Sequence, residues 1–290
     1  MALETTPRAR GPKIPFSMRE GLNPNAQGFS LKEINELFLR LYKQLNIDGY
    51  THESFGFWCV DEHDVPGKIA DVEFDMLMSL RKKNLWPLEA CAPKYKEDDL
   101  FDVIEYLFER VSKPIDGRMH TYDNCGMHWD KFDKAAGQRE FRRRINELLS
   151  HYAKRFELSA DGQILRGAPR GYETIFNAEV PTTDKTIEER VAAATLLFRR
   201  HGSSLDDRRH AVADLAGVLE ALRPKLKAVL TSKDEADLFN IANNFLIRHQ
   251  NDKQKGNYDR ALWLSWMFYL YLSTIHLVLR KLEGPKAITD

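Results

Sequence analysis

The sequence lacks the signatures of most hydrolases and nucleotide enzymes. It has no Gly-x-Ser-x-Gly, no Gly-rich phosphate loop, no dinucleotide fingerprint and no His-Glu-x-x-His. Serine-nucleophile, P-loop, Rossmann and zincin chemistries are therefore disfavoured. It also lacks surplus charge: 43 Lys+Arg oppose 43 Asp+Glu. That balance excludes a globally basic nucleic-acid wrapper and leaves only a local basic patch open. Cysteine is scarce, and Cys59, Cys91 and Cys125 are odd in number and widely spaced. They argue against a disulfide framework and for a reducing, cytoplasmic compartment. The start of the chain has no apolar run and carries Pro7, Pro12, Pro15 and Pro24, so a secretory leader is not expected there. Residues 1–14 read as a loose tail.

What is present is ample core. Of 290 residues, 43% are hydrophobic and 11% aromatic, enough for about two domains of ~150 residues each. Ser30-Leu31-Lys32-Glu33 is a capping box, and Ile34, Leu37, Phe38, Leu41 and Leu45 follow at helical spacing, which predicts a helix near 31–45. Further helices are expected around Phe74–Leu80, over Asp98–Val111 and over 134–152. Phe156-Glu157-Leu158 and Ile164-Leu165 flank an Asp161-Gly162 turn, a hairpin pattern. Residues 167–185, with Gly167, Pro169, Gly171 and Pro181, read as a linker. Beyond it, capping boxes at Thr186–Glu189 and Ser232–Glu235, and a helix from Asp206 that stops near Pro224, predict an antiparallel bundle. The expected fold is mostly α: an α-rich domain with one hairpin over 15–166, then a helical bundle over 186–284.

Ala261–Leu279 runs 19 residues without Lys, Arg, Asp or Glu, long enough to span a bilayer. Ser265, Ser273, Thr274 and His276 lie inside it, and its aromatics are spread through it rather than held at its ends. A helix buried by its neighbours accounts for this pattern, with a tail anchor as the alternative and membrane association not expected.

Three constellations could carry chemistry. Arg248-His249-Gln250-Asn251, with Lys253 and Lys255 behind and Asn243 and Asn244 ahead, combines phosphate clamps, a base that titrates near neutrality and amides able to hold a nucleotide. The same residue types also end ordinary helices. Arg199-Arg200-His201 and Arg208-Arg209-His210 form a second basic concentration. His120-x4-Cys125-x2-His128, with Cys59-x3-His63 upstream, could supply a tetrahedral zinc with two ligands from each segment; the leading set is Cys59, His63, Cys125 and His128. The two halves stand far apart in sequence, and no cofactor is expected. The acidic loop Asp61-Glu62-His63-Asp64 reads as solvated, though it could attract a hard cation.

Several strings in order resemble the AbiJ-type abortive-infection proteins of bacteria. They are Phe16-Ser17-x-Arg19-x-Gly21, Asp102–Leu107, and Phe141-Arg142-Arg143-Arg144-Ile145-Asn146-Glu147-Leu148-Leu149 leading through Tyr152 into the hairpin. The resemblance implies a small N-terminal domain joined to a HEPN-like helical bundle. It also implies a homodimer through that bundle and a defence function that acts on RNA. By this reading Arg248 contacts phosphate, His249 is acid or base, Asn251 positions the attacked group, and Asn243, Asn244, Lys253 and Lys255 bind the nucleic acid. Active HEPN ribonucleases space the pair as R-x4–6-H, whereas here Arg248 and His249 are adjacent. The alternative is a non-catalytic dimerisation or nucleotide-binding module coupled to a partner-recognition domain.

Overall fold

The Ser30 side chain accepts from the Glu33 amide, and Glu33 reaches back to the Ser30 amide at 2.8 Å. This reciprocal cap opens the first long helix where the sequence predicts it. In the computed structural model, residues 15–169, 172–226, 228–244 and 259–283 are described; Lys253, Lys255 and the Arg248-His249-Asn251 group lie outside them. Among the described residues the fold is mostly helical with small antiparallel hairpins. The chain divides into two units, 1–163 and 164–290.

In the first unit the order is α1 (Phe16–Arg19), α2 (Leu31–Ile47), α3 (His52–Phe55), β1 (Phe57–Cys59), β2 (His63–Val65), α4 (Val72–Leu80), α5 (Leu88–Cys91) and α6 (Glu97–Phe108). Then follow β3 (Lys113–His120), β4 (Gly126–Asp133), α7 (Lys134–Ser150) and β5 (Phe156–Leu158). Ile34, Phe38 and Leu45 of α2 are buried, as are Leu100, Ile104 and Leu107 of α6 and Phe141, Ile145 and Leu149 of α7. Each set repeats at three, four or seven residues and so lines one helix face. β6 (Ile164–Arg166) completes the predicted hairpin, with Gly162 at φ +79° supplying its turn.

The two antiparallel ribbons β1/β2 and β3/β4 go beyond the sequence expectation of one hairpin. Gly117 of β3 lies so close to its partner strand that a Cβ there would meet the His128 carbonyl at 2.2 Å. Only glycine allows that approach.

The second unit continues with α8 (Glu173–Asn177), α9 (Lys185–Arg199), α10 (Leu205–Leu226), α11 (Ser232–Asn244) and α12 (Arg260–Glu283). α10 packs against α9, α11 and α12, and its buried stripe includes Val212, Leu215, Leu219, Leu222 and Leu226. Three local expectations are corrected. Asp184, rather than a Thr186 box, caps α9 by accepting from the Thr186 and Ile187 amides. The box of α11 is Thr231 with Asp234, one residue early, because Glu235 pairs with Arg223 at 2.7 Å. α10 runs through Pro224, since burial of Leu222 and Leu226 on one face holds the last turn. Within the stretch read as a linker, Ile175, Phe176 and Val180 pack against the bundle core.

α12 is the one described helix long and apolar enough to cross a membrane, with mean hydropathy 1.5 and half of its apolar window buried. Its buried face carries Leu264, Met267, Phe268, Tyr271, Ile275 and Val278. Phe268 stacks on Phe198 at a centroid separation of 4.0 Å.

Candidate metal centre

Strand ends bring four soft ligands together. Cys59 closes β1, His120 closes β3, His128 lies in β4, and Cys125 sits in the connection between β3 and β4. That connection turns tightly through Asp123 and Asn124 into Gly126, the first residue of β4, all three with positive φ. The ligand atoms of the four residues lie within 4.8 Å of one another. Cys59 Sγ is 3.7 Å from His120 Nδ1, and Cys125 Sγ is 3.3 Å from His128 Nε2. A tetrahedral zinc with ordinary Zn–S and Zn–N bonds separates sulfur from nitrogen by about 3.6 Å. These two sulfur–nitrogen separations match those around a zinc ion, and a Cys2His2 set is donor chemistry that suits zinc.

The surroundings orient the ligands. The amides of Asp61 and Glu62 donate to Cys59 Sγ at 3.4 and 3.5 Å, the outer contacts that orient a sulfur ligand. At Cys125 the hydrogen-bonded backbone of Val60 pulls the thiol pKa down, but burial and the neighbouring Cys59 outweigh it, so the net direction is upward. Two thiols side by side resist joint ionisation until a divalent cation lies between them. His120 turns Nε2 to the Asp61 carboxylate at 3.1 Å while Nδ1 faces the cluster. That arrangement fixes the tautomer and orients the ring. His128 is buried, its ring 4.8 Å from that of Phe57 and 5.0 Å from that of His120.

The cluster differs at one position from the zinc set that the sequence could supply. Cys59, Cys125 and His128 are in the cluster, His120 is the fourth member, and His63 is not. Cys59 and His63 pair across the β1/β2 ladder, but His63 has φ 60° and is exposed. The intervening loop presents its amides to the Cys59 sulfur, and the left-handed backbone at His63 turns that side chain to solvent. The acidic loop meets the cluster through the Asp61 and Glu62 amides and the Asp61 carboxylate. Replacing Asp61 with Asn removes the carboxylate partner of His120 and should weaken zinc binding about 10- to 100-fold. Competition with a chromophoric chelator measures this, and unchanged affinity would remove Asp61 from the centre.

The residues expected to act on RNA are not brought together by any described contact. Arg248, His249, Asn251, Lys253 and Lys255 lie outside the described residues, and so do the side chains of Asn243 and Asn244 at the end of α11. Arg199 closes α9 and Arg208 lies in the second turn of α10. His120 was legible as part of His120-x4-Cys125-x2-His128; only the choice between it and His63 needed the fold. No family model, curated protein or solved structure matches the chain.

Proposed function

We propose that this chain is a binding protein in two parts: a recognition domain stapled by zinc, and a helical bundle that serves as a dimerisation and nucleotide-binding module. The observation that carries the first part is the Cys59, His120, Cys125, His128 set. Four protein ligands fill a tetrahedron, so no coordination position is left for water or substrate, and the metal supplies folding energy rather than catalysis. The ribbons it joins leave Trp58, Met119 and Tyr122 exposed beside the ligands, an aromatic and apolar surface of the kind partners cover.

The resemblance to AbiJ-type proteins supports the second part. It names a HEPN-like bundle, RNA or a nucleotide as partner, and bacterial defence as the setting. Leu262, Trp266 and Leu277 stay exposed on α12, and their spacing puts them on one helix face, which supports a homodimer through the bundle.

Purified protein mixed with labelled total RNA, without added metal, tests the reading. Retention of RNA without cleavage is expected. Cleavage by wild type that is lost in an Arg248→Ala/His249→Ala variant would replace it with a metal-independent ribonuclease. Neither retention nor cleavage would overturn the RNA assignment.

A further inference from the structure

The second unit contains arginines whose charge no described acid answers. Arg208 of α10 is half-buried, with its guanidinium carbon 5.3 Å from the Phe198 ring centroid. Its Nε is buried and has no hydrogen-bond partner. Arg166, at the end of β6, is near enough for its charge to act on Arg208: burial first, then Arg166, holds the Arg208 pKa below its ordinary value. Among the described residues no carboxylate pairs with Arg166 or Arg208. The nearest acids in sequence are engaged elsewhere. Asp207 accepts from Ser204 at the helix start and stands 4.0 Å from Arg200, while Asp206 stands 3.8 Å from Arg209.

The site has built walls. Arg199 is buried, donates from Nε to the Arg166 carbonyl at 3.0 Å and lies 4.6 Å over Phe176. It thereby ties the strand that carries Arg166 to α9. Tyr269 of α12 stands between these groups, 6.2 Å from Phe198 and 5.7 Å from Phe176 by ring centroid. Tyr172 stacks on Tyr269 at 4.3 Å and remains 43% exposed, so part of its ring is open to solvent.

A half-buried guanidinium with an unmet donor, beside a second cation, is costly unless an oxyanion joins it. Arginine offers planar donors matched to phosphate oxygens, and an exposed aromatic ring offers a nucleobase a face. We propose that Arg208 and Arg166 bind the phosphate of a nucleotide whose base packs on Tyr172. This rests on the reading of the bundle as a nucleotide-binding module and names the residues that hold the ligand.

Calorimetric titration of the 290-residue, zinc-loaded chain with ATP, pyrophosphate and adenosine tests it. Saturable binding of ATP is expected, with weaker binding of pyrophosphate and none of adenosine. Arg208→Gln and Arg166→Gln should each weaken ATP binding about 10- to 100-fold, as loss of a charged phosphate contact does. Arg166 is exposed, so its variant separates lost binding from lost folding; Arg208→Gln, which removes an unanswered charge, should fold at least as stably as wild type. ATP binding that both variants leave unchanged would overturn this site while the nucleotide-binding reading stands. Adenosine binding as tightly as ATP would overturn the phosphate assignment. No saturable binding of ATP or pyrophosphate by wild type would overturn site and reading together.

Discussion

Stripping zinc from the purified chain should collapse the ribbon region, and restoring it should rebuild that region. The expected stoichiometry is one zinc per chain, lost in a Cys59→Ser/Cys125→Ser variant. The ligands come from β1, from β3, from β4 and from the turn between the last two. Without the ion, two thiols and two imidazoles are held at contact distance, and of the four only Cys59 and His128 are buried. Of β3, Lys113, Ile115, Asp116, Arg118 and Met119 are exposed, so burial contributes little to that strand. Structural zinc in small domains binds with about 10–16 kcal/mol at neutral pH, comparable to the about 5–15 kcal/mol of a whole domain. The helical core of α2, α6 and α7 has its own buried stripes and should persist. Hydrogen exchange with and without chelator separates the two: protection should vanish over 113–133 and 57–65 and largely survive in α6 and α7. Equal protection in both states would show that the cluster does not hold metal.

Truncation of Phe268 to Ala should be the most damaging single change in the second unit, at about 3–5 kcal/mol. Phe268 is fully buried, stacks on Phe198 with rings 15° from parallel, and lies 5.9 Å from Phe176. Its loss leaves a cavity where α9, α12 and the α8 segment meet, and stacked rings contribute beyond their area. Asp214→Ala, on the exposed face of α10, should cost under about 0.5 kcal/mol. Urea unfolding followed by circular dichroism reads both as shifts in midpoint with unchanged slope. Similar costs at the two positions would mean that α12 does not pack through the face of Phe268.

Much of the helical framework was legible because one face of each helix must be apolar and each start needs a cap. The Ser30 box, the stripe of α2 and the Asp161-Gly162 hairpin follow from local rules that act within a few residues. Where those rules fail, a longer-range contact changes the local chemistry. Glu235 reads as a box residue until Arg223 claims it, and Pro224 reads as a stop until Leu226 is seen to be buried.

The β3/β4 ribbon was not legible, because Pro114, Asp116, Gly117 and Arg118 interrupt any apolar alternation. Its partner strand reads no better, since ligand bonds rather than a buried face can hold such a ribbon together. The zinc set was half legible for the same reason. Sequence alone supplied the donor types and the His120-x4-Cys125-x2-His128 spacing. It could not show that the end of β1 meets the end of β3, nor that the backbone at His63 turns its imidazole away while Asp61 turns His120 inward. Spacing constrains ligands only within one turn of chain; which distant turns share an ion is decided by strand pairing. The arginine pair follows the same logic. Arg208 stands in one of the two basic strings of the sequence, but nothing there marks Arg166; only the packing of β6, α9 and α10 brings the charge of Arg166 to bear on Arg208, with no described acid to answer it.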